Sequence, residues 1–294
     1  MVEITVRQAR AEDREAVLAF CAHTWEWGDY IEDVWERWLN DQSGLLLVAL
    51  AGDRPVGILH LQMLNATEAW QEGMRVDPTF RRQGIAHQLT LEAGAEAIRR
   101  GATTIRLLTD STNAASIHMV EQARWQQVGA YSIYTAVPLT SIPRHNVGLD
   151  EPVLATLADL DEIIEYLDVS SIFPAVGGIY YSDFIGYRIS DTLLKEQIGR
   201  GEIYLLKRWQ RLDGLAIVAM REDWRGNYLS LGYIDGTTES ISLLAYFLRR
   251  KLTELSMEQV RAYVPDLMMV RDAFTAAEYE WDGHTFLTYE RGLI

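Results

Sequence analysis

Cysteine is almost absent: Cys21 stands alone among 294 residues. An internal disulfide and a cysteine-built metal cluster are therefore excluded, and the thiol is expected to be buried in a reducing compartment. Long apolar runs are missing too. The longest, "GLLLVALAG" at 44–52, falls far short of the roughly 20 residues that cross a bilayer. The opening "MVEITVRQAR" lacks the apolar block and small-residue cleavage site of a secretory signal, and its Val2, Ile4 and Val6 alternate as in a first strand. These absences set the expectation of a cytoplasmic protein with no membrane partner.

Positive charge is the third shortage. Lys and Arg number 27 against 42 Asp and Glu, a formal charge of −15. Both halves share the imbalance, with 13 basic and 19 acidic residues in 1–150, and 14 and 23 in 151–294. Neither offers the extended positive footprint that nucleic acid needs. An anionic acceptor would be repelled at long range, whereas a cationic amine would not. His60, His87 and His118 each stand alone, without metal-ligand spacing. They read as structural, and no metal is expected.

What is present suits a globular fold: 48 % apolar and 23 % charged residues, enough for one large or two mid-sized domains. The stretch "PLTSIPRHNVGLDEP" at 138–152, with three prolines and no period, reads as a linker. Landmarks repeat on either side of it. Gly57, Asp77, Asp110 and Trp125 correspond to Gly214, Asp235, Asp266 and Trp281 at offsets of 157, 158, 156 and 156, the mark of a duplicated domain. Each half reads as strand, helices, an antiparallel meander, helix, strand, helix and closing strands. The expected fold is thus mixed α/β: two tandem domains, 1–140 and 153–294, joined by 141–152, each a mainly antiparallel sheet flanked by helices.

At "RVDPTFRRQGIAHQL", 75–89, two arginines and a glycine stand where a strand passes into a helix. A helix start leaves backbone N–H groups unpaired beside a partial positive charge. Gly84 permits close approach, Arg81 and Arg82 add donors that fit a phosphate, and Ala86 keeps the wall small. A solvated arginine pair at an ordinary helix start is the plainer alternative.

This strand-loop-helix, the preceding "VALAGDRPVGILHLQ" hairpin and the downstream "DSTNAASIHMVEQARW" resemble, in order and spacing, the GNAT superfamily of acetyl-CoA-dependent N-acetyltransferases. The resemblance covers most of 1–137. It implies acetyl-CoA as co-substrate, its pyrophosphate resting on the backbone of Arg82, Gln83, Gly84, Ile85 and Ala86 with Arg81 beside them. It also implies a pantetheine arm paired like a strand with Met74, Arg75 and Val76, and further contact at Asn113 and Ser116. Acetyl would pass directly to an amine held in the same complex.

The family's usual tyrosine, placed to protonate the departing thiolate, is Val120 here. Loss of a general acid costs about 10²- to 10⁴-fold, yet an alkyl thiol of pKa near 8.5 leaves tolerably without help. Ser116, or Tyr131 and Tyr134, are candidates for the role, although a first-turn serine and sheet-packing tyrosines are the favoured readings. Glu72, ahead of Glu68, is the base candidate, on the strand face expected to carry Met74 and Val76. In "HTWEWGDYIEDVWERWLND", residues Ile31, Val34, Trp35, Trp38 and Leu39 make the buried face of a helix. Trp25 and Tyr30 precede it and, with Trp70, are acceptor-binding candidates for a small-molecule or peptide amine.

The second half reads "YIDGTTESISLL" at the matching joint, with no arginine pair and a loop about two residues shorter. A degenerate repeat without the CoA site is expected, with Tyr180 and Tyr181 available to cover an acceptor. A non-catalytic acyl-CoA sensor and a ligand-free interaction module remain alternatives, as do monomer and homodimer.

Overall fold

The computed structural model describes residues 3–22, 24, 28–139, 151–223 and 226–293. Trp25 and residues 141–150 of the linker lie outside them. The chain forms two compact units: Met1–Leu107 with Ala115–Gln126 and Tyr289–Ile294, and Leu108–Ala114 with Gln127–Thr288. No helix is long and apolar enough to cross a membrane.

The first unit opens with β1 (Ile4–Gln8), α1 (Arg14–Cys21) and α2 (Ile31–Leu39), then the meander β2 (Gly44–Ala51), β3 (Arg54–Met63) and β4 (Glu68–Val76). There follow α3 (Ile85–Arg99), β5 (Thr104–Asp110) and α4 (Ala114–Gln122). The sheet order is β1-β2-β3-β4-β5, antiparallel except where β4 meets β5. One apolar layer joins Val17, Cys21, Ile31, Trp35 and Trp38 to Leu46, Val48 and Ile58, which is the helix face expected from the periodicity. On the other side of the sheet Gly57 lets α3 approach, since a Cβ there would meet Ile85 and Leu89 at 2.9 and 3.2 Å. Gly101, at φ +98°, ends the α3 turn with its N–H on the Ile98 carbonyl.

The second unit repeats the plan with β6 (Gln126–Ala136), β7 (Val153–Leu154), α5 (Leu160–Val169), α6 (Ile172–Ala175), β8 (Ile179–Ser182), β9 (Ile185–Arg188) and α7 (Asp191–Gly199). It continues through β10 (Ile203–Arg208), β11 (Arg211–Asp223), β12 (Gly226–Gly236), α8 (Thr238–Leu255), β13 (Gln259–Pro265), α9 (Met268–Ala276) and β14 (Glu280–Gly292). Its strands run β6-β13-β12-β11-β10-β7, with β12 and β13 parallel. Gly214 does for α8 what Gly57 does for α3, its Cβ position lying 3.1 Å from Leu244 and Ser240. The duplication read from glycine spacing therefore has a packing cause.

The units do not divide at residue 140. The segment "QQVGAYSIYTAVPL" holds one long strand, β6, instead of the expected pair. Its residues Tyr131–Ala136 pair antiparallel with Val260–Pro265 of β13, so from Gln127 onward it belongs to the second unit. Conversely, the first unit takes Tyr289–Ile294 from the end of the chain. Both halves close with the same kind of half-buried strand, and either satisfies the free edge beside a parallel strand.

In the first unit that exchange seats a charge. Arg106, with its side chain wholly buried, donates from Nη2 to Glu68 at 3.1 Å and from Nε to Glu290 at 2.6 Å. A buried cation stripped of a partner is strongly destabilising. Glu290→Ala should therefore cost about 3 kcal/mol, near the low end for a buried pair because Glu68 remains. Urea denaturation checks this; a loss below about 1 kcal/mol, the range of an exposed pair, contradicts the buried role of Glu290.

Candidate active site

The site begins with a break in pairing. The β4–β5 ladder has only three pairs, Glu68–Trp70 with Thr104–Arg106, so β4 from Gln71 to Val76 runs on outside that ladder. On its other edge β4 follows β3 through a bulge: Gly57 and Ile58 oppose Val76 and Arg75, but His60 and Leu61 oppose Glu72 and Gln71. Gly73 supplies the extra residue at φ +67°, and a Cβ there would fall inside the Trp38 ring. The bulge changes the face pattern. Directly opposed residues share a face, so Glu72 sides with Arg75 and His60, and Val76 with Gly57 toward α3. This corrects the expectation that Glu72 shares a face with Met74 and Val76.

Beyond Val76 the chain is braced before it turns. Asp77 is buried, its Oδ1 accepting from the Thr79 N–H and hydroxyl and its Oδ2 from Arg54 at 2.6 Å. Burial works against its charge, but those donors prevail and hold the carboxyl below its ordinary value. Arg81, Arg82, Gln83 and Gly84 follow, all exposed. Arg82 takes φ +62° and Gly84 φ +80°, the latter capping α3 without any side-chain hydrogen bond. A Cβ at Gly84 would meet nothing within 4 Å, and no acidic residue stands in the first turn. Exposed backbone, an uncapped helix start and open space beside it can receive an anion. Ile85 is buried and Ala86 half-buried, as the wall of such a cradle.

Arg75 contributes backbone only. Its guanidinium is locked on Asp29, with Nε to Oδ2 at 2.7 Å and Nη2 to Oδ1 at 3.1 Å, and lies over the Tyr30 ring at 5.2 Å. Tyr30 therefore has one face occupied, and its edge meets Trp38. Trp70 is 1 % exposed, a core residue where an acceptor aromatic was expected, because it lies within the paired stretch of β4. Of the two acceptor candidates among the described residues, Tyr30 lies near the bulge and Trp70 does not. Glu68 is engaged by Arg106. Glu72, partly exposed, has its Oε1 3.0 Å from His60 Nδ1. Cys21 is buried, and burial pushes its thiol up to about 12, which leaves it inert.

Ser116 lies in the first turn of α4, within the first unit, while Asn113, just ahead of that helix, is grouped with the second. Val120 is fully buried. Tyr131 and Tyr134 belong to the second unit, and the Tyr131 hydroxyl is committed to the carbonyls of Val176 and Ile179 at 3.1 and 2.9 Å. Both are sheet-packing residues. Among the described residues no cluster of His, Cys, Asp or Glu is placed to hold a metal.

The second unit has the same break and fills it. Its parallel ladder stops at Leu231 with Ala262. A Cβ on the next residue, Gly232, would strike the Tyr181 carbonyl and the Tyr180 ring, while Tyr181 stacks on Tyr263 of β13 at 5.3 Å. Both tyrosines are buried. At the following joint α8 starts three residues after Asp235, where α3 starts eight after Asp77. The loop is thus shorter by five residues, more than the sequence alignment implied. Thr237 caps α8 by accepting from the Ser240 N–H. Burial raises Asp235, despite its hydrogen bonds from Ser170, Tyr233 and Tyr166, the opposite direction to Asp77.

These two units match known proteins. A profile described as the Acetyltransferase (GNAT) family covers residues 13–124. An acetyltransferase of Pectobacterium atrosepticum is 30 % identical over 131 residues, 44 % of this chain and 92 % of that protein. The chain belongs to the GNAT family and is an acyltransferase. Along the whole length, the structure of a GCN5-related N-acetyltransferase from Sphaerobacter thermophilus aligns with a TM-score of 0.60 at 12 % identity, over 99 % of this chain and 96 % of that one. A proposed acetyltransferase from Thermoplasma acidophilum aligns at 0.59 and 18 % identity, over 98 % and 99 %. The two-unit fold is shared with both.

The two site glycines should separate in their effects. Gly73→Ala combines a left-handed backbone with a collision in the core and should cost about 3 kcal/mol. Gly84→Ala bears only the backbone term, about 1 kcal/mol. Thermal unfolding of both variants checks the order, and equal losses would refute the distinction.

Proposed function

We propose that the first unit transfers acetyl from acetyl-CoA to the primary amine of a cationic or neutral small molecule or peptide, directly in a ternary complex. The observation that carries this reading is the contrast between the joints. The first unit leaves β4 outside the ladder and α3 uncapped beside open space, whereas the second plugs and caps both features. We read the second unit as a GNAT-like repeat without a CoA site.

When bound, acetyl-CoA supplies an activated acyl carbon on a thiol leaving group. The N–H groups from Arg82 to Ala86 would hold its pyrophosphate, with Arg81 and Arg82 adding charge. The β4 edge at Met74, Arg75 and Val76 would align the thioester arm, and Asn113 and Ser116 would add contacts. Glu72 takes the amine proton as the N–C bond forms and the C–S bond breaks. Ser116 or solvent returns a proton to the thiolate, consistent with Val120 offering none. Tyr30, beside the bulge, and Trp25 are the residues to examine for acceptor contact. The protein would act as a monomer or homodimer, without metal or nucleic acid.

Val120 also favours a second reading, an acyl-CoA sensor without turnover. Two measurements on the full chain decide. Calorimetric titration should show acetyl-CoA binding that Gly84→Glu weakens by about 100-fold or more, close to 3 kcal/mol; unchanged affinity would overturn the cradle. Thiol release with spermidine, lysine, tobramycin and an alanine-initiated hexapeptide should exceed background for at least one amine. Tight binding with no release from any of them would support the sensor.

A further inference from the structure

We propose that His60 is a buried positioning residue for Glu72, with Asp41 as the third member of an Asp41–His60–Glu72 triad; this rests on the reading of Glu72 as the base. The sequence shows His60 as a lone apolar-strand histidine, twelve residues from Glu72 and nineteen from Asp41. Antiparallel pairing of β3 and β4 sets His60 directly opposite Glu72, and the loop between α2 and β2 brings Asp41 to its other side.

The geometry is that of a held ring. His60 is 1 % exposed and stacks on Trp38 at 4.6 Å with 8° between planes. Trp38 is itself packed against the glycine of the β4 bulge. Nδ1 lies 3.0 Å from Glu72 Oε1. Nε2 lies 3.3 Å from Asp41 Oδ2 but outside hydrogen-bond geometry, and this buried nitrogen has no other partner. Gly44 keeps the space: a Cβ there would collide with the Asp41 carboxylate and sit 2.6 Å from Nε2.

Burial makes each ring nitrogen need a partner, and the partner that the β3–β4 register supplies to Nδ1 is the base candidate itself. Here the nitrogen at bonding distance faces Glu72, which assigns the Nδ1–H as donor to its carboxylate. That bond fixes one Glu72 oxygen in place. The other oxygen is left to take the amine proton: an N–H bond breaks and an O–H bond forms, while His60 keeps its Nδ1 proton. The charged groups around the ring are Glu72 from β4 and Asp41 from the loop. Arg75 with Asp29, and the titratable Tyr30, come next along the same sheet face.

The test compares His60→Leu, which removes the donor, with His60→Asn, whose amide can replace Nδ1–H, and with Glu72→Gln as benchmark. The assay is thiol release with the best amine of the four named above. His60→Leu should lower kcat by about 10- to 100-fold, leave KM for acetyl-CoA within about twofold, and alter the rate–pH profile. His60→Asn should restore much of kcat. Nitrogen NMR of labelled histidine should show the His60 ring protonated at Nδ1, assigned by the signal missing in His60→Asn. If Glu72→Gln is impaired but His60→Leu keeps its kcat and profile, the inference falls alone. If Glu72→Gln is fully active, or no amine turns over, the reading of Glu72 falls and the positioning role with it. A ring protonated only at Nε2 also overturns the triad.

Discussion

One steric fact organises the first unit: position 73 has room for the Trp38 ring and none for a Cβ. Because Gly73 adopts a left-handed backbone, β4 gains a residue relative to β3, and the faces of the strand switch at that point. Glu72 thereby stays on the side of α2, His60 and Arg75, while Val76 turns toward α3 and leads the chain into the Arg81–Gly84 turn. The same ring that excludes a side chain at 73 forms the platform for His60. The bulge, the face that Glu72 takes and the platform under His60 thus depend on one packing contact. Filling that contact would disturb all three.

The two units treat the same two openings in opposite ways. A parted pair of parallel strands exposes backbone that must find partners, and a helix start exposes more. The second unit resolves both internally, with Tyr180 and Tyr181 against Gly232, and Thr237 on α8. The first has no such plug or side-chain cap among the described residues: its loop is five residues longer, its cap is a glycine, and the side chains on the β4 edge are those of Arg75, on the Met74 carbonyl, and Arg81, on the Val76 carbonyl. The aspartates tell the same story electrostatically. Asp77, braced by Arg54 and Thr79, stabilises an open turn as a carboxylate. Asp235 sits among hydroxyl groups in a closed one, and burial raises it.

Local features were legible in the sequence. The helix face of Ile31, Trp35 and Trp38, the uncapped glycine of α3 and the matched glycines of β3 and β11 each depend on residues close together in the chain. Features set by distant partners were not. Trp70 resembled a ligand aromatic because nothing nearby reveals that its part of β4 is paired on both edges. His60 reads as core and is buried there, but its contacts with Glu72 and Asp41 come from distant residues. The ownership of β6 and of the chain's last residues was ambiguous in principle, since either strand has the pattern that either unit requires. A glycine inside "WQEGMRV" was the one available sign of the bulge, and it shifts the face of every residue after it.

Charge balance then accounts for the cationic turn in an acidic protein. The arginines near the site are mostly spent on structure: Arg54 on Asp77, Arg75 on Asp29, and Arg106 on Glu68 and Glu290. Each is held by a carboxylate, so it contributes little field to solvent. Arg81 and Arg82 differ, being exposed and in no ion pair among the described residues. Arg81 gives its Nε to the Val76 carbonyl at 3.4 Å, next to the β4 edge. Excess acid elsewhere therefore does not cancel the local cation. It neutralises the structural arginines and leaves a small positive spot confined to one helix start, within a protein whose net charge does not oppose the approach of an amine.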